Sequence, residues 1–241
     1  YSMGGILANE NMETGVSGLY AAGEASSGVF GACRVADAVT EMLVQGYKAG
    51  ENAAKYSKNS ACKSIDEKQI NELINEYTCV LKNEEGISPL EVHTMMEKAS
   101  DEGFNFFRNE IHLKKALKEI KNIKNNYLNN MFIKSKTLNY NLEWIRALQA
   151  KNRLLCIETG IQMALERKES RGFHMRTDYP EVNNDEYLVR IIAKHNDGNI
   201  TLSKRKPIQT KLELPKGKYE NISEFMINEG LEFKNALILD N

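Results

Sequence analysis

Several features that would assign a chain quickly to a function class are missing from this sequence. Apolar runs such as Ala21-Ala22 and Leu154-Leu155-Cys156-Ile157 fall far short of the roughly 20 residues needed to cross a bilayer, so no membrane span is expected. An excess of one charge is missing too: 32 Lys and Arg face 33 Asp and Glu, and the formal net charge is -1. There is no global field to attract a nucleic acid or an anionic membrane. Cys33, Cys62, Cys79 and Cys156 make no CxxC pair, and no secretory apolar segment opens the chain, which reads as four reduced thiols in a cytoplasmic protein. His93, His112, His174 and His195 are too widely separated for a HExxH or His–Cys set, and no metal site is indicated. A GxGxxG loop is also absent. The loose glycines Gly23, Gly28 and Gly31 lack the tight spacing and the acidic residue about 20 positions on that a dinucleotide fingerprint requires. Finally, the chain opens on Tyr1 and runs straight into Met3-Gly4-Gly5-Ile6 with no polar lead-in, so a preceding segment is expected.

What is present suffices for a folded body. The 241 residues are 41% hydrophobic, enough for one large domain or two smaller ones. Residues 6–22 alternate short apolar pieces with Asn9, Glu10, Asn11, Gly15 and Gly18, and lead into an expected strand at Gly18–Ala22. Gly23, Ala25, Ser26, Ser27, Gly28 and Gly31 then form a stretch whose backbone can closely approach a ligand or a neighbouring helix. Beyond Arg34 the pattern turns helical, with Val35, Val39, Met42, Leu43, Tyr47 and Gly50 tracking one side to about Ala54.

The polar stretch 58–64 is the best boundary, and amphipathic periodicity follows it. Ile70, Leu73, Ile74, Tyr77 and Leu81 predict a helix over 66–83. Ser88-Pro89-Leu90-Glu91 carries a helix start: a cap, a proline at the first helical position and an early acid. Leu113, Leu117, Ile120 and Tyr127 share a face of a helix over 107–127, whose other side carries Lys114, Lys115, Lys118, Lys121 and Lys124 as a solvated or docking face. Leu142, Ile145, Leu148, Leu155, Ile161 and Leu165 mark the expected buried side of a helix over 141–167. Three or four such helices can close a bundle. Tyr187–Ile192, the turn Asn196-Asp197-Gly198-Asn199 and Ile200–Leu202 predict a β-hairpin, followed from 207 by an irregular tail.

Few residues carry a chemical reading by themselves. Arg34 ends a glycine-rich loop at an expected helix start, where backbone N–H groups and a guanidinium can clamp an anion, although by itself it reads first as an ordinary surface or ion-paired arginine. Glu24 can accept from ligand hydroxyls or simply face solvent. The stretch from Glu169 to Pro180, with Arg171, His174, Arg176 and Asp178, reads as a structural polar network.

Two stretches bear a family resemblance. Met3-Gly4-Gly5-Ile6, Gly18-Leu19-Tyr20-Ala21-Ala22-Gly23-Glu24-Ala25-Ser26-Ser27 and Gly31-Ala32-Cys33-Arg34 resemble the second cofactor-binding segment of the fumarate reductase and succinate dehydrogenase flavoproteins. Glu169-Ser170-Arg171-Gly172-Phe173-His174, through Asp178-Tyr179-Pro180, resembles the Glu-Ser-Arg-Gly-x-His stretch after that family's helical domain. The two matches frame residues 1–206.

The resemblance implies a mainly α chain. A small α/β remnant of an FAD-binding domain over 1–57 precedes a helical bundle of three to four helices over 64–175, and a hairpin and tail complete 176–241. It implies an FAD-dependent oxidoreductase that exchanges a hydride between flavin and a dicarboxylate-like substrate. Gly23 and Glu24 match the pair whose glutamate binds FAD hydroxyls, Arg34 the arginine that holds a substrate carboxylate, and Gly4 and Gly5 glycines that pass close to the flavin. Ala38 and Val39 fall where the family makes backbone contacts to the isoalloxazine. Implied partners are an iron-sulfur electron-transfer subunit, by which the protein would be peripheral to a membrane, and amino-terminal FAD and capping domains that the chain does not carry. Without those domains the fragment alone is expected to be inactive.

The chain also departs from the family pattern. Val35-Ala36-Asp37-Ala38-Val39-Thr40 differs from the family's Leu-x-x-Asn-Ser-Leu, and with Ala38 and Val39 set against its Ser-Leu pair the segment is one residue shorter, which leaves the substrate open. Aspartate oxidase, a urocanate-type reductase, an adenylylsulfate reductase subunit and a helical docking module are the alternatives.

Overall fold

The computed structural model describes residues 4–26, 38–61, 64–196, 198–208 and 213–220. Its helices in chain order are α1 (Ala38–Asn59), α2 (Glu67–Thr78), α3 (Pro89–Gly103), α4 (Glu110–Asn126), α5 (Leu142–Glu166) and the single turn α6 (Asn184–Tyr187). Its strands are β1 (Phe107–Arg108), β2 (Met175–Arg176), β3 (Glu181–Asn183), β4 (Arg190–Asn196), β5 (Asn199–Arg205) and β6 (Lys218–Glu220). The chain falls into two compact units. One is drawn from the residues before Asp66 with Arg171–Phe173, and the other from 66–170 and 174–220.

In the second unit the helix starts follow local chemistry. Ser88 Oγ accepts from Glu91 N at 3.2 Å while the Glu91 carboxylate accepts from Ser88 N at 3.0 Å, a reciprocal cap with Pro89 at the first helical position. Asn109 and Asn141 cap α4 and α5 in the same manner, accepting from His112 N at 2.8 Å and Trp144 N at 3.0 Å. These caps meet donors that the first helical turn leaves without partners.

Helices α3, α4 and α5 pack on one another around Val92, Met96, Leu113, Ile120, Ile123, Leu154 and Ile161, all nearly or wholly inaccessible, with Met131 and Ile133 from the connection between α4 and α5 in the same cluster. Each buried Leu, Ile, Val or Met side chain contributes about 1.5–3 kcal/mol. The seam is lined by small residues. Ala99, Ala116, Ala147, Ala150 and Ala164 are buried, and a Cβ added at Gly103 would stand 2.3 Å from the His112 carbonyl oxygen and 2.6 Å from Ala116 Cβ. Only glycine allows α3 and α4 to approach this closely.

Four expectations are corrected here. The buried side of α5 runs through Ala147, Ala150, Leu154, Glu158, Ile161 and Ala164, whereas Leu142, Ile145 and Leu155 are exposed. The close approach of the neighbouring helices selects the alanine face over the bulkier leucine one. Helix α2 forms but buries none of its residues; Val80, in the 3-10 turn after it, reaches the core, and Trp144 Nε1 donates to the Tyr77 carbonyl at 2.8 Å. The expected strand at Gly18–Ala22 reduces to one antiparallel bridge, Glu13 to Tyr20, and an Ala21 N–H donation to Met12 O at 3.0 Å. Tyr187 ends α6, which Asn183 caps, so the hairpin strand starts only at Arg190.

The hairpin itself pairs β4 with β5 from Arg190–Arg205 to Asn196–Asn199. Part of the tail is regular: β6 pairs antiparallel with β3.

Candidate functional site

In the first unit three sequence segments meet. Ile6 N donates to the Ala25 carbonyl at 2.9 Å, and Ile6 bridges to Ser26 in parallel. This draws Gly5 against the following turn so closely that a Cβ there would lie 2.7 Å from Ala25 O. Gly4, at φ +101°, has no atom of the described residues within 4 Å of the position its Cβ would take. Gly23, at φ +67°, opens the 3-10 turn Gly23–Ala25, a left-handed start that favours glycine. A Cβ at Gly23 would meet Met42 of α1 at 3.1 Å. Glu24 is exposed on that turn.

The turn is held from α1 by a residue that the sequence reading did not single out. Gln45 is buried, and its Oε1 accepts from Gly23 N at 2.7 Å. The Ser26 hydroxyl lies 2.9 Å from both Gln45 Oε1 and the Gly23 carbonyl oxygen. Gln45 Nε2 donates to Glu41 Oε1 at 2.6 Å. Two further bonds fix the same helix, from Tyr20 OH to Asn52 O at 3.3 Å and from Asn52 Nδ2 to Asn11 O at 3.0 Å.

The structure thus brings Gly5 to the Gly23–Ser26 turn, and Gly23 to α1. Ala38 is the first residue of α1, and Val39 beside it is 60% exposed. Arg34 lies outside the described residues. Gln45 was hidden because the partners it holds in the turn, Ser26 and Gly23, are 19 and 22 positions away, and a glutamine four residues after a glutamate is an ordinary helix-surface pattern.

The second unit carries a denser polar centre, built on Glu169, Ser170 and the stretch from His174 to Pro180. Arg176 is fully buried and grips Asp178 with two bonds, Nε to Oδ1 at 2.7 Å and Nη2 to Oδ2 at 2.8 Å, while Nη1 donates to Ala164 O at 2.7 Å at the end of α5. Asp178 Oδ2 also accepts from Glu110 N at 2.9 Å, in the first turn of α4. The Arg176 hydrogen bonds hold the Asp178 carboxyl below its usual range. Buried Glu169 pairs with Arg167 and accepts from Asn183 N at 2.8 Å; Arg167 in turn donates to Tyr187 O and Val189 O.

His174 sits between Arg108 Nη1, 3.0 Å from its Nδ1, and the Arg167 carbonyl oxygen, 3.2 Å from its Nε2. An arginine can only donate and a carbonyl can only accept, so the ring is neutral with its proton on Nε2. Burial, and then the Arg108 cation, push its pKa down to about 3. Burial also lowers Arg108 itself to about 10. With every one of these groups engaged by another, the centre ties the end of α5 to the start of α4 and to β3, a structural task.

No group of three or more His, Cys, Asp or Glu side chains that could hold a metal occurs among the described residues, and no helix among them is long and apolar enough to cross a membrane. The first unit fits part of a dinucleotide. The Gly4 backbone, which carries no Cβ, admits close approach of a flat or polar body, and the Glu24 carboxylate on the turn suits vicinal hydroxyls.

Residues 93–220, just over half of the chain, match the family model described as the fumarate reductase flavoprotein C-terminal domain, and residues 1–37 match an FAD-binding domain. The fumarate reductase flavoprotein subunit of Haemophilus influenzae is 30% identical over 219 residues, 89% of this chain and 36% of that protein. The succinate dehydrogenase flavoprotein subunit of Rickettsia conorii is 28% identical over 221 residues, 86% of this chain and 37% of that protein. Among solved structures, a variant of the E. coli quinol fumarate reductase FrdA superposes with a TM-score of 0.84 at 26% identity, over 90% of this chain and 38% of that one. The chain therefore spans little more than a third of the length of these relatives. Its helical bundle, its FAD-binding segment and the order in which they occur agree with theirs, and the chain belongs to the fumarate reductase and succinate dehydrogenase flavoprotein family.

Proposed function

We propose that the chain is the carboxy-terminal portion of an FAD-dependent oxidoreductase that interconverts a dicarboxylate-like anion and its unsaturated partner. The observation that carries this reading is the junction of the Gly4-Gly5 backbone with the Gly23–Ser26 turn that presents Glu24, inside the segment that matches an FAD-binding domain. Bound FAD supplies the hydride acceptor and donor.

The chain's own residues bind and orient. Glu24 accepts hydrogen bonds from FAD hydroxyls beside Gly23, and Gly4 and Gly5 let the backbone lie against the ring system. The backbone of Ala38 and Val39 faces the isoalloxazine. Arg34 holds a substrate carboxylate through two parallel N–H donations, which fixes the carbon that exchanges hydride. In domain terms, residues 1–57 complete an FAD-binding domain, 64–175 form the helical domain, and 176–241 the hairpin and tail. The proposed setting is cytoplasmic, with an iron-sulfur electron-transfer subunit as partner and any membrane attachment made through it.

Residues 1–241 alone are expected to hold no stoichiometric FAD, because a dinucleotide gripped only at its hydroxyl end lacks the anion contacts that offset its ordering. Titration calorimetry with FAD, read beside the visible spectrum of the purified chain, tests this, and one tightly bound flavin per chain would overturn it. In a longer polypeptide that carries this segment and binds FAD, Arg34→Ala should cut turnover of the anionic substrate by about two orders of magnitude or more at nearly unchanged flavin content, with Arg34→Lys rescuing poorly. Unchanged kinetics across a dicarboxylate panel would remove Arg34 from the role.

A further inference from the structure

We infer that Gln45 is a positioning residue of the flavin site, acting through the Gly23–Ser26 turn to aim Glu24. The inference rests on the flavin-site reading above and extends it to a side chain on another element.

The hydrogen bonds around Gln45 admit only one arrangement. A backbone N–H only donates, so the atom 2.7 Å from Gly23 N must be the amide oxygen. An ionised carboxylate only accepts, so the atom 2.6 Å from Glu41 Oε1 must be the amide nitrogen. Glu41 therefore sets the orientation of the amide, and the amide sets the turn. One acceptor atom meets both ends of that turn, the Gly23 N–H and the Ser26 hydroxyl, and Glu24 lies between them.

Gly23 has the left-handed φ of +67°, a conformation that an exposed loop would hold only in part of its population. Gln45 lies in a regular helix, is itself buried, and supplies an acceptor to a backbone N–H. A part-buried N–H left without an acceptor is costly, so the turn is tied to α1. A ligand that bonds Glu24 then finds the carboxylate already placed, which reduces the ordering that binding must impose.

The test is a double-mutant cycle on FAD affinity in the longer flavoprotein that carries this segment, with FAD binding followed by flavin fluorescence quenching. Glu24→Gln and Gln45→Leu should each weaken FAD by about tenfold to a hundredfold, and the double variant by little more than the worse single one, because both act on the same contact. Melting of the FAD-free proteins serves as the structural readout. The exchange Gln45→Glu with Glu41→Gln keeps an oxygen toward Gly23 and a donated bond between the two side chains, so it should restore affinity to within about threefold of the parent. It also keeps the question open to measurement if Gln45→Leu does not fold.

If Glu24→Gln weakens FAD while Gln45→Leu leaves it unchanged, or if the two effects multiply in full, Gln45 has no positioning role. Failure of the exchange variant to recover affinity would say the same. If the parent takes up no FAD, or Glu24→Gln has no effect, the flavin-site reading itself fails.

Discussion

His174 illustrates how far a single side chain can be carried from its solution behaviour. In the unfolded chain its imidazole titrates near the ordinary 6.5, and in the folded chain it is held at about 3. Above the first value both states are neutral and the residue adds no pH dependence. Below it the unfolded chain takes up a proton that the folded chain refuses, so stability declines as pH falls from about 6.5 toward about 3. His174→Gln should remove that part of the slope, since an amide can accept from Arg108 and donate to the Arg167 carbonyl without titrating. Urea midpoints measured between pH 7.5 and 4 through Trp144, the one tryptophan, should fall less steeply in the variant. Parallel slopes would show that the ring is not buried neutral. The cluster around His174 was legible in part: the sequence placed Arg176 and Asp178 in a network, but Arg108 lies 66 positions from His174 and carried no local sign of its part.

For whole elements, the legible features were those written in neighbouring residues. The Ser88-Pro89-Leu90-Glu91 start and the Asn196–Asn199 turn need only local backbone chemistry; the cap forms as expected and Asn196 pairs with Asn199, while Asp197 lies outside the described residues. The buried face of α5 was misread because that helix is apolar on several sides. Leucines outweigh alanines in any tally of hydrophobicity, yet the distance to α3 and α4 decides which face fits. Two glycine substitutions separate the contexts. Gly103→Ala forces a Cβ against a backbone carbonyl that cannot swing aside and should cost about 1–3 kcal/mol in urea unfolding. Gly46→Ala, within α1, meets nothing among the described residues within 4 Å and should strengthen that helix by up to about 1 kcal/mol, read as slower amide exchange across it. A Gly103 variant as stable as the parent would mean that the seam has slack.

Taken whole, the molecule divides unevenly. Residues 80–164 supply every member of the apolar core cluster, whereas Ala21 is the only buried apolar residue among those described before Asp66. Val16, Leu19, Val39, Leu43 and Tyr47 are all exposed there. Residues 66–221 made alone should therefore melt cooperatively with an unchanged Trp144 emission maximum, and a broad, non-cooperative melt would refute that self-sufficiency. The long reach of Asp178 bears on timing. Its carboxylate closes the first turn of α4 from 68 positions further along the chain, so that contact cannot form until every helix of the bundle has been synthesised. Until then the nascent helix depends on Asn109, its immediate neighbour. In refolding kinetics Asn109→Ala should slow folding, while Asp178→Asn should chiefly hasten unfolding, because the distant carboxylate arrives after the rate-limiting step and secures a helix already formed.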